Sequence, residues 1–380
     1  MIDSDNTGHP LAPQVWSALR QVMDPELGRP IADLGMIPAC TIDDASHVAV
    51  TILLTTEGCP LRARIVTDVE TAVGAVAGVS GVTVDVGVMD DEQRAAVREA
   101  LGVGARREIA FAGADGPTRV IALASGKGGV GKSSITANLA CALADLGLSV
   151  GVVDADLFGF SIPDLLGATA DDVPMTVEGF DDLLLPPVVR GIKVVSMAMF
   201  LPDREQVVAW RGPMLSQGLR QFLADTYWGD LDVLLIDLPP GTGDIALSIG
   251  QLVPNAEIIV VTTPQATAAQ VAERAGTMAW RMKQKVIGVV ENMSYWEGAC
   301  PHCGQSHRLD LFGHGGGQQV ASRLSRRLGY EVPLLAEIPL ERDWRAANDI
   351  GVPLVTVDAE RGSGAVIAAL AERLAGPRPA

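Results

Sequence analysis

A glycine-rich segment at residues 124–134 has the side chains best suited to phosphate chemistry. It reads ASGKGGVGKSS and fits the pattern G-x-x-x-x-G-K-[ST] from Gly126 to Ser133. Glycines let successive backbone N–H groups point at one phosphate chain, and a following helix N-terminus adds positive charge. We expect Lys132 to reach the β- and γ-phosphates and the Ser133 hydroxyl to ligate Mg²⁺. The predicted nucleotide contacts are Gly126, Lys127, Gly128, Gly129, Val130, Gly131, Lys132, Ser133 and Ser134.

Acidic residues at the ends of apolar runs are the expected metal and water partners of this loop. Asp237 ends the run 231–237, and an acidic residue at such a strand end holds the Mg²⁺ shell in P-loop enzymes. Asp156 begins a loop after another run, where it suits orientation or activation of the attacking water. Asp154 could share that chemistry or only cap a turn. The segment 239–243 reads PPGTG, a loop that could sense the γ-phosphate.

The segments around these residues are expected to form the elements that position them. Residues 119–125 read as a buried strand and residues 134–144 as a helix, because the apolar positions follow helical spacing. Further strands are expected at residues 149–154, 231–237 and 285–291. Alternating strands and helices predict an α/β fold with a mostly parallel sheet and helices on both faces. Nucleotide is expected at the carboxyl ends of these strands.

The loop, the Asp-Ala-Asp segment at 154–156 and the segment IDLPPGTGD at 236–244 together resemble the deviant-Walker ATPases, the group of MinD, ParA and the nitrogenase iron protein. The resemblance implies that Lys127 crosses a homodimer interface and contacts the phosphates of the partner subunit's ATP. A lysine acting in trans stabilises charge on the transferred phosphoryl group only when two subunits close. The expected catalytic set is therefore Lys127, Lys132 and Asp156. The resemblance also implies that Asn292 reads the adenine edge.

Two cysteines with metal-binding spacing, Cys300 and Cys303, follow the predicted strand 285–291. The C-x-x-C spacing lets two thiolates meet one metal, but it leaves a four-ligand site half filled. A second subunit could supply the same pair across a two-fold axis. His302 or His307 could instead complete a zinc site, or the pair could be a redox dithiol without metal. The residues alone leave these three possibilities open.

The segment Cys-Pro-His-Cys at 300–303 resembles the C-P-x-C pair of the Mrp/ApbC family of iron–sulfur carrier ATPases. The resemblance covers residue 118 to the end of the chain. It implies a labile [4Fe–4S] cluster bridged by Cys300 and Cys303 of two subunits and delivered to apo iron–sulfur proteins, in contact with the cluster-assembly machinery. Supporting matches are the segments WRGPM at 210–214, SMAMF at 196–200 and LFGHGGG at 311–317.

The first 110 residues are expected to form a separate small α+β domain, joined by a Gly-rich linker at 111–117 to an ATPase domain at 118–380. The pattern predicts helices at 10–23, 61–73 and 92–101, and strands at 36–42, 47–54 and 81–88. Asp24-Pro-Glu26 and the segment 55–60 resemble a PaaD-like (MIP-type) domain linked to iron–sulfur assembly. Cys59 precedes a predicted helix, where it could contact iron as a thiolate or simply pack in the core.

Composition narrows the classes of partner. The net charge is −17, so nucleic acid and anionic membrane surfaces are not expected as partners. The five cysteines do not form a secreted disulfide framework, and residues 1–6 are acidic and polar rather than signal-like, so a cytoplasmic location is expected. Cys40 and Cys141 lie in apolar runs and should pack in the core. Competing hypotheses are a MinD/ParA-like positioning or partitioning ATPase and a zinc-stabilised ATPase adaptor.

Overall fold

The computed structural model describes residues 9–25, 27–55, 61–101, 109, 111–113, 116–157, 159–177, 180–201, 212–299 and 302–376. The chain divides into two compact units, one of Met1–Glu108 with Thr176–Leu184 and one of Ile109–Met175 with Leu185–Ala380. The boundaries expected from the sequence, at 1–110, 111–117 and 118–380, stay a prediction. Within the described ranges, no helix has the length and apolar character needed to cross a bilayer.

The first unit has a three-stranded sheet of β1 (Ala39–Ile42), β2 (His47–Leu54) and β3 (Gly81–Val88). Its helices are α1 (Ala12–Leu19), α2 (Arg62–Gly74) and α3 (Asp91–Ala100). Strands β1 and β2 pair antiparallel, whereas β2 and β3 pair parallel. Alternate residues of β2 are buried, so one face of this sheet packs against the core of the unit. The expected α+β class of this unit is confirmed.

Two predicted elements of the first unit are too long. The helix predicted at 10–23 ends at Leu19, because the chain turns there and the Val22 carbonyl accepts a hydrogen bond from the Ile31 N–H at 3.0 Å. The strand predicted at 36–42 begins only at Ala39. Pro38 has no N–H to donate to a ladder, which explains the late start.

The second unit alternates strands and helices, as predicted. Its strands are β4 (Arg119–Ser125), β5 (Val150–Asp154), β8 (Val188–Val189), β9 (Ile192–Ser196), β10 (Val233–Asp237), β11 (Glu257–Thr262), β12 (Val286–Glu291), β13 (Trp296–Ala299), β14 (Ser306–Leu309) and β15 (Leu334–Glu337). Strands β6 (Met175–Val177) and β7 (Phe180–Leu185) lie between β5 and β8 in the sequence and form a two-stranded sheet, and residues 176–184 of this pair belong to the first unit.

The helices of the second unit are α4 (Lys132–Asp145), α5 (Ile162–Leu166), α6 (Gly212–Ala224), α7 (Asp244–Leu252), α8 (Ala266–Arg281), α9 (Gly316–Leu328), α10 (Arg342–Asp349) and α11 (Gly362–Ala375). Short 3-10 helices lie at Met197–Phe200 and Leu354–Thr356. Helix α4 begins two residues before its predicted start, at the lysine of the glycine loop.

The central sheet has eight strands in the order β15-β12-β11-β4-β10-β5-β9-β8. All its pairings are parallel except that of β8 with β9. Both faces are covered. One face packs against α6, α7, α8 and α9, and the other against α4, α5, α10 and α11. The predicted α/β class, with a mostly parallel sheet and helices on both faces, is therefore confirmed.

Strand β4 shows why the apolar runs predicted these strands. All seven of its residues are buried, since helices cover both faces of the sheet. Val120 and Ala122 point into one core, while Ile121 and Leu123 point into the other. Such strands read as continuous apolar runs, so β4 is found at its predicted residues and β5, β10 and β12 begin within two residues of theirs.

Candidate nucleotide site and cysteine hairpin

The glycine loop joins the carboxyl end of β4 to the first turn of α4, as predicted. Gly129 and Gly131 have φ angles of 77° and 81°, a left-handed conformation that glycine adopts without strain. A Cβ atom on Gly131 would lie 2.2 Å from the Asn292 Nδ2 atom, and one on Gly126 would lie 2.3 Å from the backbone of Val271. The loop therefore needs glycine for backbone conformation at two positions, Gly129 and Gly131, and for close approach at two, Gly126 and Gly131.

Lys132 and Asp237 form a buried ion pair at the centre of the site. The Lys132 Nζ atom lies 2.5 Å from the Asp237 Oδ2 atom, with side-chain exposures of 6% and 0%. The Ser133 hydroxyl donates to the same Oδ2 atom at 2.6 Å. The Thr136 hydroxyl donates to the Asp237 Oδ1 atom, also at 2.6 Å. Three donors from the first turn of α4 thus converge on one carboxylate at the end of β10.

Asp154 lies beside Asp237, because the two residues are register partners at the ends of β5 and β10. Its Oδ2 atom accepts hydrogen bonds from the N–H groups of Ser161 and Ile162, at 3.0 and 3.2 Å, and from the Ser196 hydroxyl at 3.1 Å. Complete burial, followed by the charge of Asp237, raises its pKa to about 7. Of the two possibilities left by the sequence, capping of the start of α5 is the one these contacts support.

Asp156 occupies the loop after β5 and is half-buried. Its Oδ1 atom accepts a hydrogen bond from the Gly159 N–H at 3.0 Å. The proline- and glycine-rich loop after β10 lies near the glycine loop, since the Gly241 N–H donates to the Ser125 carbonyl at 2.8 Å. The roles of Asp156 in water activation and of this loop in phosphate sensing stay predictions.

Two other predicted site residues, Lys127 and Asn292, form hydrogen bonds in or beside the glycine loop. The Lys127 ammonium donates to the Gln265 Oε1 atom at 2.8 Å. The Asn292 amide donates to the Val130 carbonyl at 2.9 Å and is 3% exposed. Asn292 therefore ties the end of β12 to the glycine loop. The trans role of Lys127 and the adenine contact of Asn292 stay predictions.

Strands β13 and β14 form a hairpin in which Ala299 pairs with Ser306, and the C-x-x-C segment lies between the two strands in the sequence. We call the described residues of this hairpin, 296–299 and 302–309, the cysteine hairpin. Cys303 is exposed in this hairpin. Cys300 lies outside the described residues, as do Cys59, Glu26 and the start of the segment 210–214.

The histidines considered as zinc ligands, His302 and His307, are both exposed. Across the part of the chain that the structure describes, no group of three or more His, Cys, Asp or Glu side chains could hold a metal ion. The remaining cysteines behave as predicted, because Cys40 and Cys141 are buried in the cores. Burial raises the pKa of Cys40 to about 11 and that of Cys141 to about 12, so both stay as thiols.

Comparison with known proteins agrees with this arrangement. A family model described as NUBPL iron-transfer P-loop NTPase matches residues 116–375. The chain belongs to this family. A second family model, described as iron-sulfur cluster assembly protein, matches residues 13–86 of the chain.

Several relatives are similar over most of their length. The iron-sulfur cluster carrier protein of Mycobacterium tuberculosis is 51% identical over 361 residues, covering 95% of this chain and 92% of the relative. That of Bacillus subtilis is 38% identical over 333 residues, covering 87% and 89%. A nucleotide-binding protein from Archaeoglobus fulgidus, solved with ADP, is 41% identical, with a TM-score of 0.50 over 62% of this chain and 87% of that chain. The predicted resemblance to iron–sulfur carrier ATPases is confirmed.

The donor set at the first turn of α4 fits a nucleotide with Mg²⁺. A cation, two hydroxyls and a carboxylate converge at the first turn of α4, and hard oxygen donors of this kind suit Mg²⁺. Gly128 and Gly129 are exposed beside them, and a Cβ atom on Gly129 would meet nothing within 4 Å. The loop backbone therefore has room for a phosphate chain.

Sequence reasoning missed two residues of the site, Thr136 and Gln265. Thr136 follows Lys132 by four positions, so it shares that face of α4, and this spacing was a usable signal. Gln265 gave no signal, because 138 positions separate it from Lys127. It reaches the loop only because β11 lies next to β4 in the sheet.

Proposed function

We propose that this protein is an ATP-hydrolysing iron–sulfur cluster carrier that holds a [4Fe–4S] cluster between two copies of the chain and transfers it to apo-proteins. The observation that carries the proposal is the exposed Cys303 on a hairpin whose preceding strand is bonded to the glycine loop through Asn292. The relatives named as iron-sulfur cluster carrier proteins support the same function.

The cargo site follows from ligand number. Cys300 and Cys303 of one chain supply two thiolates, and a [4Fe–4S] cluster takes four. A second copy related by a two-fold axis supplies the other two. A cluster held in this way becomes available to an acceptor when the two halves separate. Nucleotide-dependent closure of the dimer can therefore control when the cargo is held and when it is released.

The nucleotide site supplies that control. Lys132 would bind the β- and γ-phosphates, while Ser133 and Asp237 would hold Mg²⁺, which neutralises phosphate charge when bound. Asp156 would orient the attacking water, and Lys127 would complete the site of the partner subunit. Turnover is expected to be slow in the absence of a client, because these groups assemble only when the dimer closes.

The proposed partners are apo iron–sulfur proteins and the cluster-assembly machinery, and the proposed location is the cytoplasm. The front unit matches a cluster-assembly family, which suits contact with such proteins. The net charge of −17 does not suit binding to nucleic acid or to an anionic membrane.

Anaerobic reconstitution with iron and sulfide tests the cargo site. The wild type should gain the cluster chromophore with one cluster per two chains, and Cys300→Ala/Cys303→Ala should gain almost none. The control is Cys40→Ala, which removes a buried thiol and should leave uptake unchanged. Full uptake by the double variant would refute the assignment. Metal analysis of protein purified without oxygen distinguishes iron from the zinc of the adaptor hypothesis.

Turnover tests the nucleotide site. Lys132→Ala should abolish ATP hydrolysis. Lys127→Ala should retain most nucleotide binding and lose hydrolysis, because its ammonium acts on the partner's nucleotide. Loss of nucleotide binding in Lys127→Ala, with normal turnover in mixed dimers, would contradict action in trans.

A further inference from the structure

The cysteine hairpin is attached to the nucleotide site at both of its ends. At the front end, Asn292 follows β12 and its amide donates to the Val130 carbonyl of the glycine loop at 2.9 Å. The Asn292 Oδ1 atom also accepts from the Met293 N–H at 2.9 Å, and Met293 has a φ angle of 55°. The chain entering the hairpin is thus fixed to the glycine loop.

At the back end, the chain leaving the hairpin reaches the start of α9 and packs against the segment after β11. A Cβ atom on Gly316 would lie 2.5 Å from the Pro264 carbonyl oxygen, so the two backbones touch. The next residue is Gln265, whose Oε1 atom accepts the hydrogen bond from Lys127. A short path therefore leads from the Lys127 ammonium through Gln265 and Pro264 to the back end of the hairpin.

The two ends are also tied to each other. The carboxylate of Glu291, the last residue of β12, accepts a hydrogen bond from the Gly317 N–H. Glu291 is 1% exposed, and a Cβ atom on Gly317 would lie 2.7 Å from its Cβ atom. The two ends of the hairpin are therefore held together at its base.

The segment before Gln265 contains a buried polar group that lacks a hydrogen-bond partner. The Thr263 hydroxyl is buried and, within the described ranges, no hydrogen-bond partner is found for it. A buried hydroxyl without a partner lowers the stability of the arrangement that holds it.

We propose that Pro264 and Gln265 form a positioning element that holds Lys127 in its own subunit and transmits the departure of this lysine to the cysteine hairpin. The proposal rests on the carrier function, because movement of the hairpin serves the release of cargo. Gln265 is carried on its own subunit, so a lysine that crosses to the partner's nucleotide must leave it. Gln265 then competes with dimer closure.

Turnover of Gln265 variants tests the first half of the proposal. Gln265→Ala removes the competing acceptor and should raise ATP turnover about threefold to tenfold, the factor for a part-exposed hydrogen bond to a charged group. Gln265→Glu adds a negative charge that holds the lysine more strongly, so it should lower turnover by a similar factor. A residue that only supports the fold is not expected to change turnover in opposite directions in these two variants. If both variants changed turnover in the same direction, or if neither changed it, the proposal would be overturned.

Gln270 provides the matched control, because it lies on α8, the helix that Gln265 precedes as N-cap residue, and it is exposed. Gln270→Ala and Gln270→Glu should both turn over ATP at the wild-type rate. If they reproduced the effects of the Gln265 variants, helix charge or stability would explain the result and the proposal would be wrong.

Hydrogen exchange in residues 296–309 tests the coupling to the hairpin. Addition of Mg²⁺ and the non-hydrolysable analogue AMPPNP should change exchange in the wild type, and Gln265→Ala should lose at least half of that change. Gly316→Ala disturbs the contact with Pro264 at the back end of the hairpin and should also reduce the nucleotide-dependent change in exchange. Should Gly316→Ala fail to fold, the Gln265 variants still decide the outcome. If AMPPNP left hydrogen exchange in the wild-type hairpin unchanged, the coupling would be refuted.

The experiments separate this proposal from the carrier function, because turnover and exchange are measured on protein without cluster. If the hairpin responds to nucleotide while Cys300→Ala/Cys303→Ala takes up a full cluster, the assignment of the cluster to these two cysteines fails and the coupling stands. If the cluster binds as proposed while Gln265 and Gln270 variants behave alike, the coupling fails and the carrier function stands.

Discussion

Substitution of Lys132 should destabilise the fold as well as stop turnover. Lys132→Met keeps a chain of similar length and removes the ammonium, which leaves the fully buried Asp237 carboxylate without its ion-pair partner. Breaking a buried ion pair from one side costs about 3–5 kcal/mol. The hydroxyls of Ser133 and Thr136 still donate to Asp237, and each such bond contributes about 1 kcal/mol. We therefore expect the lower end, a loss of about 3 kcal/mol in the free energy of unfolding.

A double-mutant cycle separates the unpaired charge from lost packing. Lys132→Met/Asp237→Asn removes both charges. The asparagine Oδ1 atom can accept from one of the two hydroxyls, and its Nδ2 group can donate to the oxygen of the other. The double variant should therefore be more stable than Lys132→Met alone, by about 2 kcal/mol. The cycle is measured by urea unfolding followed by circular dichroism, with equal denaturant dependence in all four proteins as the control. A double variant that is less stable than the single would refute the reasoning.

The same variant should respond to pH. Lys132 lowers the pKa of Asp154, so its removal raises that pKa further, and the folded variant holds a proton that the unfolded chain releases. Stability of Lys132→Met relative to wild type should therefore recover as the pH falls from 8 toward 6, by at most about 1.4 kcal/mol per pH unit for each proton. A deficit that is constant over this range would contradict a buried, uncompensated charge.

Three further predictions concern single residues. Gly131→Ala should lower ADP affinity at least about tenfold in calorimetric titration, because its Cβ atom displaces the Asn292 amide. The control is Gly147→Ala, where φ is 84° and a Cβ atom meets nothing within 4 Å. This variant carries only backbone strain and should bind ADP with the wild-type affinity. Burial and the neighbouring carboxylate raise the pKa of Asp154 from 3.8 to about 7. The stability that this shift contributes is fully present below pH 3.8 and is lost as the pH rises through 7. In urea titrations, the free energy of unfolding of wild type relative to Asp154→Asn should therefore fall from pH 4 to 7, and a rise would refute the burial argument. Iodoacetamide should alkylate Cys303 at least about tenfold faster than Cys40 in mass-spectrometric time courses. Cys303 is exposed, whereas burial raises the pKa of Cys40 to about 11. Equal rates of alkylation would contradict the assigned burial.

The elements that the sequence predicted well are those whose pattern is set by burial on both faces. Strand β4 was found at its predicted residues because a parallel strand under two layers of helices must be apolar throughout. The strands of the front unit were predicted at 47–54 and 81–88, and they occupy these residues. The ends of α1 and β1 were missed because a turn at Arg20 and a missing N–H at Pro38 decided them.

The site was predicted where its residues are local in sequence. Gly126 to Ser133 and Asp237 could be named because each lies at the end of an apolar run, where a parallel sheet presents its functional side chains. The function of Asp154 could not be chosen, since the hydrogen bonds to Ser161 and Ile162 depend on how the chain folds back after β5.

The sequence by itself determined the chemistry of this protein. A glycine loop with two lysines, carboxylates at strand ends and a C-x-x-C pair each follow from residue type and spacing, which the covalent chain fixes. These local patterns were enough to predict phosphate binding and half of a metal site.

Only the tertiary structure decided which of these groups meet. Lys127 bonds to Gln265, and Asn292 bonds to Val130 across 162 positions, because the sheet places β12, β11 and β4 side by side although they are far apart in sequence. Strand order depends on how helices pack on both faces, and no local spacing records it. The connection between the glycine loop and the cysteine hairpin is therefore a property of the fold.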